Sequence, residues 1–359
     1  MRKAIYFFTF CIYLFPTISI DAQWIKTNGL SGGHTSRFFN YGDTVLTNVG
    51  NELHYSINHG KVWSPIVNPL YRSINPLSIE GQNVFGYAHD RSAQENILFI
   101  SHDFFQTLHP VSIPDTLDLR GYFLAHGHLY ISEYSNTVQK LYRTNNHGAS
   151  WEFVAALSPN DVQFDGQRIT GDIYHNVIQS TDEGFTWDTL LQYSGWISQI
   201  LQHENHFFIF HDDPTEGCNV SHDFGQSWQF YPNSNLDQFY RYFWHNGSIY
   251  GLDANRAIRS SDLGQSWENV TLPQNSASPA YHGISSGNAL IIGGAQSMGS
   301  SGMHRSIDHG NTWNAVSFGL AASSGKLRKY SHELFVPSPG GLFRGKFDGL
   351  NWEKLNLNT

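Results

Sequence analysis

An eight-residue pattern recurs along this chain and constrains its fold more than any other feature. The pattern reads Ser/Thr-x-Asp/Asn-x-Gly-x-Ser/Thr-Trp, and a clear copy runs from Ser180 to Trp187. Six copies keep the acid or amide, the glycine and the tryptophan, a seventh keeps only the acid, and a shortened eighth ends at Trp352. The key positions are Asn58, Gly60, Trp63, Asp103, Asn146, Gly148, Trp151, Asp182, Gly184, Trp187, Asp223, Gly225, Trp228, Asp262, Gly264, Trp267, Asp308, Gly310 and Trp313.

A second repeat, a tight turn between two apolar runs, precedes each octad. These turns lie at 41–43, 80–82, 126–128, 165–167, 203–205, 245–247, 286–288 and 331–333. The octads recur about every 41 residues, which is the length of one four-stranded propeller blade. The sequence therefore predicts an all-β fold, a β-propeller of eight blades with strands a to d and an octad at each c–d turn. The alternative is a seven-bladed ring with one unit outside it.

The residue types of the octad suit a structural turn. The Asp or Asn side chain can accept hydrogen bonds from backbone N–H groups of its own turn, and the glycine can adopt a positive φ. The tryptophan then follows on the next strand and can bury its ring between blades. Octads on separate blades cannot bring their carboxylates to one metal ion.

Histidines are frequent in the turns on this side of the propeller. His126 with His128, and His203 with His206, have spacings that a zinc site could use. We interpret them as solvated turn residues instead. The sequence thus predicts no metal and no cofactor.

The octad resembles the Asp-box, or BNR repeat, of sialidases, sortilin-type ectodomains, xyloglucan-acting glycosidases and photosystem assembly factors. The resemblance covers residues 24–359 and implies a β-propeller, but these families have different functions. The segment after Trp24 and the segment after Trp352 both resemble the strand that follows each octad. We expect one of them to complete the terminal blade against the other end of the chain, because ring closure removes exposed strand edges.

The N-terminus has the features of an export signal. Arg2 and Lys3 precede an apolar run from Ala4 to Ile20, and Ala22 precedes a polar chain. We predict a signal peptide over residues 1–22 and a single propeller domain over 23–359, located in the periplasm, outside the cell or on its surface. The alternative is an uncleaved membrane anchor. The mature chain would contain one cysteine, Cys218, and no apolar run of spanning length.

Composition narrows the possible partners. Lys and Arg total 21 against 30 Asp and Glu, a formal net charge of −9, which argues against nucleic-acid binding. Aromatic residues make up 15% of the chain, which is unlike a disordered protein. We expect a monomer whose partner is a protein or a glycan.

The candidate ligand-binding residues lie on the face opposite the octads, where the d–a and b–c loops meet. Arginines and aromatic residues there suit carboxylates or carbohydrates, through bidentate pairing and ring stacking. The alternative is that they pack loops or line a filled channel. The candidates are Arg37, Arg72, Arg120, Trp196, Tyr240, Arg241 and His282.

Evidence for catalysis is weak in this sequence. The carboxylates that could serve a two-acid glycosidase are Asp118, Glu133, Asp212 and Asp213, but that mechanism needs two acids at a defined separation. The Arg-Ile-Pro motif of sialidases is absent. The sequence therefore favours an exported, non-catalytic binding or scaffold protein. The alternative is a glycoside hydrolase, sialidase-like or oligosaccharide-acting, on the same propeller.

Overall fold

A computed structural model shows a chain built from antiparallel β-strands. It describes residues 35–355 except 115–116, 118, 136–137, 212–216, 233–238, 240, 254–255, 274–281, 294–302, 317–327, 331–332, 339–340 and 347–351. These residues form eight four-stranded sheets in which consecutive strands pair. The all-β prediction is confirmed. Within the same residues, no helix has the length and apolar character needed to cross a membrane.

Each sheet is a meander of strands a, b, c and d in chain order. The first four sheets contain β1 (Thr35–Tyr41), β2 (Thr44–Val49), β3 (Glu52–Ser56), β4 (Ser64–Pro65), β5 (Tyr71–Glu80), β6 (Asn83–Asp90), β7 (Glu95–Ser101), β8 (His109–Pro110), β9 (Leu119–Ala125), β10 (His128–Ser135), β11 (Val138–Thr144), β12 (Glu152–Ala155), β13 (Asn160–Phe164), β14 (Ile169–Ile173), β15 (Asn176–Ser180) and β16 (Asp188–Gln192). The last four contain β17 (Ile197–His203), β18 (His206–His211), β19 (Cys218–Ser221), β20 (Gln229–Tyr231), β21 (Arg241–His245), β22 (Ser248–Leu252), β23 (Ala257–Ser260), β24 (Glu268–Val270), β25 (His282–Ser286), β26 (Ala289–Gly293), β27 (His304–Ser306), β28 (Asn314–Ala315), β29 (Arg328–Tyr330), β30 (Glu333–Ser338), β31 (Gly341–Lys346) and β32 (Trp352–Lys354).

Seven of the eight sheets close into a ring and form a seven-bladed β-propeller. The a strand of each blade packs on the a strand of the next, from β1 through β5, β9, β13, β17 and β21 to β25. Strand β25 of blade 7 then packs directly on β1 of blade 1. Strands β29–β32 pair with one another, and none makes more than a marginal contact with a ring strand in the described part of the chain.

The prediction of eight blades in the ring is therefore wrong, and the seven-bladed alternative is correct. The physical reason is the completed interface between blades 1 and 7, where Trp63 and Ile291 are fully buried in one cluster. Asn40 Nδ2 also donates to the carbonyl of Ser285 across this interface over 3.2 Å. An eighth blade would have to separate these groups. The remaining members of the cluster are Phe38, Val45, Val49, Ile284, Ala289, Met303 and Val316.

Ring closure also differs from the expected exchange of a terminal strand. Trp352 begins β32, which pairs with β31 inside the eighth sheet, so this segment does not complete blade 1. Trp24 lies outside the described residues. Blades 1 and 7 each contain four consecutive strands of their own, and the ring closes by side-chain packing between them.

The octads lie at the c–d turns, where the sequence places them. In the turn of blade 4, Asp182 Oδ1 accepts the backbone N–H of Thr186 over 2.8 Å, and Ser180 Oγ accepts the N–H of Gly184 over 2.8 Å. Gly184 has φ +91°. The bonds from Thr186 lower the pKa of the Asp182 carboxyl. The octad turn is thus held by its own side chains.

The octad tryptophans link each blade to the one before it. The indole N–H of Trp228 donates to the carbonyl of Leu190 in blade 4 over 2.9 Å, and that of Trp313 donates to Thr271 in blade 6 over 2.8 Å. Blade 2 lacks both the glycine and the tryptophan. Phe105 occupies the glycine position there at φ +65°, and its ring is buried against residues of blade 1. A large side chain thus fills that junction from a different octad position.

Replacing Trp63 with alanine tests the closing interface. We expect Trp63→Ala to lower the free energy of unfolding by about 3–5 kcal/mol, because it leaves a cavity between blades 1 and 7. Trp196→Ala is the control: this tryptophan is 71% exposed, and its loss should change stability by less than about 0.5 kcal/mol. Urea unfolding followed by circular dichroism measures both. If the two variants changed the free energy of unfolding equally, the packing of Trp63 between blades 1 and 7 would be contradicted.

Candidate functional site

A groove opens between blades 1 and 2 on the face of the d–a and b–c loops. Its volume is about 670 Å³. The groove lies where the sequence places ligand binding, and it contains Arg72. The lining segments are 51–53 from the b–c turn of blade 1, 65–68 from the d–a connection, 71–74 from the start of β5, and His89, Arg91 and Asn96 from the b–c side of blade 2.

A β-bulge shapes the start of β5. Pairing with β6 is interrupted between Arg72 and Asn75, and Ser73 lies at φ +52°. A bulge bends its strand and redirects the side chains beside it. Arg72 is exposed at this point and belongs to the groove wall.

Arg72, His89 and Asn96 form a hydrogen-bonded chain along the groove. Arg72 Nη2 donates to His89 Nε2 over 2.9 Å, and His89 Nδ1 lies 3.1 Å from Asn96 Oδ1. Because a guanidinium can only donate, His89 accepts at Nε2 and carries its proton at Nδ1. The positive charge of Arg72 stays available to a ligand.

Arg91 supplies a second positive charge. Its backbone N–H donates to the carbonyl of Leu70 over 3.0 Å, which joins the b–c turn to the d–a connection. The neighbouring Asp90 carboxylate accepts the N–H groups of Ser92 and Ala93, and hydrogen bonding to Ser92 lowers its pKa. That carboxylate is occupied within its own turn. Among the described residues, neither Arg72 nor Arg91 forms an ion pair.

Apolar side chains and one acid complete the groove. Val67, in the groove wall, is 83% exposed, and Leu70 in the same d–a connection is 61% exposed. Glu52 lies in the wall contributed by blade 1. Exposed aliphatic side chains beside two arginines are suited to a ligand with both apolar and anionic groups.

A second set of charged residues converges on the central channel. Arg37 in β1, Asp161 in β13 and Arg241 in β21 lie on a strands of three different blades. Part of the Arg241 side chain is exposed. Burial of its guanidinium group lowers its pKa, the nearby Asp161 carboxylate raises it, and the positive charge of Arg37 lowers it. Asp161 accepts the backbone N–H of Ile200 in blade 5. Burial raises the pKa of Asp161 to about 6.

Trp196 belongs to a third region, at the junction of blades 4 and 5. Its ring meets the ring of His175 edge to face, with centroids 4.4 Å apart. Tyr174 and His175 form the two-residue b–c turn of blade 4, at φ +46° and +69°, and Tyr174 is 65% exposed. Tyr193 stacks on His211 nearby, with centroids 3.9 Å apart. The result is an exposed aromatic surface.

The structure separates most of the predicted site residues. Arg37 and Arg241 share the channel, Arg72 lies in the groove, and Trp196 lies near the opposite side of the ring. Arg120 is exposed at the a strand of blade 3, and His282 is partly exposed at that of blade 7. Tyr240, Asp118, Asp212 and Asp213 fall outside the described residues.

Of the four candidate catalytic acids, Glu133 lies within the described residues. It is 6% exposed, and one carboxylate oxygen lies 3.6 Å from the ammonium of Lys140. The same oxygen, Oε2, accepts no hydrogen bond among the described residues. This environment is an ion pair within the b–c hairpin of blade 3, formed by β10 and β11.

Sequence reasoning missed His89, Arg91, Asn96 and Asp161. Asp161 could have been found by position, because it starts an a strand as the predicted arginines do. His89 and Arg91 flank Asp90 in a b–c turn. The a–b turn at 80–82 brings this segment back toward Arg72, but the two irregularities in the pairing of β5 with β6 decide that His89 lies opposite Arg72. The groove depends on a contact between two blades.

Comparisons with known proteins identify the fold. No family model matches the chain, and no curated protein matches it. A solved structure described as YCF48 bound to D1 peptide is 15% identical, with a TM-score of 0.55, over 75% of this chain and 91% of that chain. A puromycin hydrolase mutant complexed with PGG is 10% identical at the same TM-score, over 87% and 58%. A structure described as the GH74 enzyme of Niastella koreensis is 17% identical with a TM-score of 0.42, over 84% of this chain and 47% of that chain. The two structures with a TM-score of 0.55 share the fold of this chain, and identities this low show nothing about its function.

Replacing Asp161 with asparagine tests the channel charges. The folded chain holds the Asp161 proton more tightly than the unfolded chain, whose aspartate pKa is about 3.9. The contribution of this group to stability is therefore present below pH about 4 and is lost as the pH rises to about 6. Asparagine removes this dependence and can still accept from Ile200.

We expect Asp161→Asn to match the wild type in urea unfolding at pH 4 and to exceed its stability at pH 7. Arg37→Ala serves as a comparison, because it changes the channel charge without removing the buried carboxyl. A variant that is less stable than the wild type at pH 7 would contradict the assignment.

Proposed function

We propose that this chain is an exported, non-catalytic binding protein that holds a segment of a partner protein in the groove between blades 1 and 2. The partner segment carries an acidic side chain or terminal carboxylate beside an apolar side chain. One observation carries the proposal: two arginines lie beside two exposed aliphatic side chains, Val67 and Leu70. Neither arginine, Arg72 or Arg91, has an acidic partner among the described residues.

The chemistry of the groove supports a peptide ligand. Guanidinium groups recognise carboxylates through two parallel hydrogen bonds, which fixes orientation as well as position. Val67 and Leu70 offer apolar area that an adjoining side chain can cover. A volume of about 670 Å³ lies within the usual range of ligand sites. Blades of paired strands hold these loops in fixed positions.

Comparison with a peptide-bound propeller supports the same class of partner. The YCF48 structure is described as bound to a peptide, and 91% of that chain aligns with this one. Because the two chains are only 15% identical, the comparison supports a propeller as a scaffold for peptide binding and says nothing about which residues bind. We also propose that the octads are Asp-boxes and that residues 1–22 direct export.

Catalysis has less support from the described residues. Glu133 is buried and paired with Lys140, which leaves it poorly placed to protonate a substrate. The exposed ring of Trp196 could stack on a sugar, but it lies away from the groove. We therefore propose a protein partner and treat a glycan as an outcome of the test.

A peptide array gives a direct test. Purified residues 23–359 are applied to immobilised 12-residue peptides of varied acidic and apolar content, and retained peptides are measured by fluorescence anisotropy. We expect the retained peptides to contain Asp or Glu beside an aliphatic residue. Changing their acids to amides should weaken binding at least about 10-fold, because each charge-assisted hydrogen bond contributes about 1.5–3 kcal/mol.

Variants locate the binding surface. Arg72→Ala with Arg91→Ala should weaken peptide binding at least about 10-fold, whereas Lys61→Ala, an exposed cation in the octad turn of blade 1, should leave it unchanged. Equal binding by all three proteins would overturn the proposal. The proposal would also be overturned if the protein retained glycans but no peptides on parallel arrays, and if Trp196→Ala lost that glycan binding.

A further inference from the structure

Three histidines meet at the junction of blades 2 and 3, on the octad face and away from the groove. His102 lies in the octad turn of blade 2, His109 starts β8 after that turn, and His147 lies in the octad turn of blade 3. His102 Nε2 and His147 Nε2 are 3.3 Å apart. The His109 ring stacks on the His147 ring with centroids 4.9 Å apart and planes within 9°.

His102 is held in the tautomer that a metal ligand needs. Its Nδ1 lies 2.7 Å from Asn83 Oδ1, in the a–b turn region of the same blade. Because that amide oxygen can only accept, the His102 proton sits on Nδ1 and the Nε2 lone pair faces His147. Metal-binding histidines commonly donate their second N–H to such an acceptor, which fixes the ring.

His147 is held by the contact between the two blades. Its carbonyl accepts the backbone N–H of Ser112 from blade 2 over 3.1 Å, and the indole of Trp151 donates to the Ser112 carbonyl over 3.0 Å. A Cβ at the next residue, Gly148, would lie 2.0 Å from that carbonyl oxygen. The octad turn of blade 3 therefore fits against blade 2 in one position.

The nitrogen spacing fits two ligands of one metal ion. Two imidazole nitrogens bound to tetrahedral Zn²⁺ at about 2.0–2.1 Å lie about 3.3–3.4 Å apart. The neighbouring Asp103 carboxylate is already occupied by Ser101 and Thr107 of its own turn. The available donors at this junction are thus imidazoles, which suit zinc and related divalent ions.

We propose that His102, His147 and His109 bind one divalent transition-metal ion of the zinc class, which links blade 2 to blade 3. In the side-chain positions of the structure, the described residues contain no preformed group of three or more ligands. The site forms when His109, exposed at the blade edge, turns its ring toward the other two. Water completes the coordination. This departs from the expectation, drawn from the sequence, that the chain binds no metal.

A histidine pair in blade 5 provides a comparison on the same face. His206 Nδ1 and His222 Nδ1 lie 2.9 Å apart in blade 5. His222 occupies the same octad position as His102, directly before the acid. His222 is therefore a matched control for His102.

Zinc titration tests the site. The full mature chain, stripped with a chelator, is titrated with Zn²⁺ in competition with a chromophoric chelator, and thermal unfolding is recorded with and without the ion. We expect one Zn²⁺ per chain and a raised unfolding temperature, because the ion binds the folded chain. His102→Ala and His147→Ala should weaken binding by about 100-fold, and Asn83→Ala by at least about 10-fold.

The controls separate this site from general histidine binding. His222→Ala should bind zinc as the wild type does and keep the thermal shift. If His147→Ala does not fold, His102→Ala with His109→Ala decides the matter, since both rings are exposed. The proposal is overturned if the wild type binds no zinc, if these variants bind it unchanged, or if His222→Ala loses it equally.

Discussion

The packing of blade 1 on blade 7 is the interaction on which the rest of the structure depends. A single repeat unit cannot bury both faces of its sheet, so each blade needs a neighbour on either side. Blade 1 and blade 7 are neighbours in this sense, because Trp63 of blade 1 packs with Ile291 of blade 7 in one buried cluster. Once they are buried, the a strands surround a channel, and the loops of all seven blades share one face.

The octads stabilise this ring with local hydrogen bonds and leave the opposite face free to vary. Asp223 and Asp308 accept bonds from their own turns, which lowers the pKa of each to about 2. Their charges serve the fold. The arginines and aromatic residues of the d–a and b–c loops have no such repeated role, and the groove, the channel charges and the Trp196 surface differ from blade to blade.

The sequence predicts the strands and the turn positions, including the octads at the c–d turns, because each of these follows from a local pattern. It does not predict that the ring closes after seven blades, since the packing of Trp63 on Ile291 joins residues more than two hundred positions apart. The same limit applies to the candidate site. Arg72 is recognisable from its loop, but the contact with His89 requires two strands in register. The electrostatic interaction of Asp161 with Arg241 joins strands of two blades that are separated by a third.

Cross-linking of the closing interface tests this account most directly. His59 Nδ1 of blade 1 lies 2.9 Å from Ser286 Oγ of blade 7. In a chain of residues 23–359 with Cys218→Ser, cysteines at His59 and Ser286 should be joined by a short bis-maleimide, as seen by a shift in gel mobility and by mass spectrometry. We predict rapid cross-linking in the folded protein and none in urea. Absence of the cross-link, with His59→Cys instead joined to a cysteine at Glu333 in the eighth sheet, would show an eight-bladed ring and contradict the account.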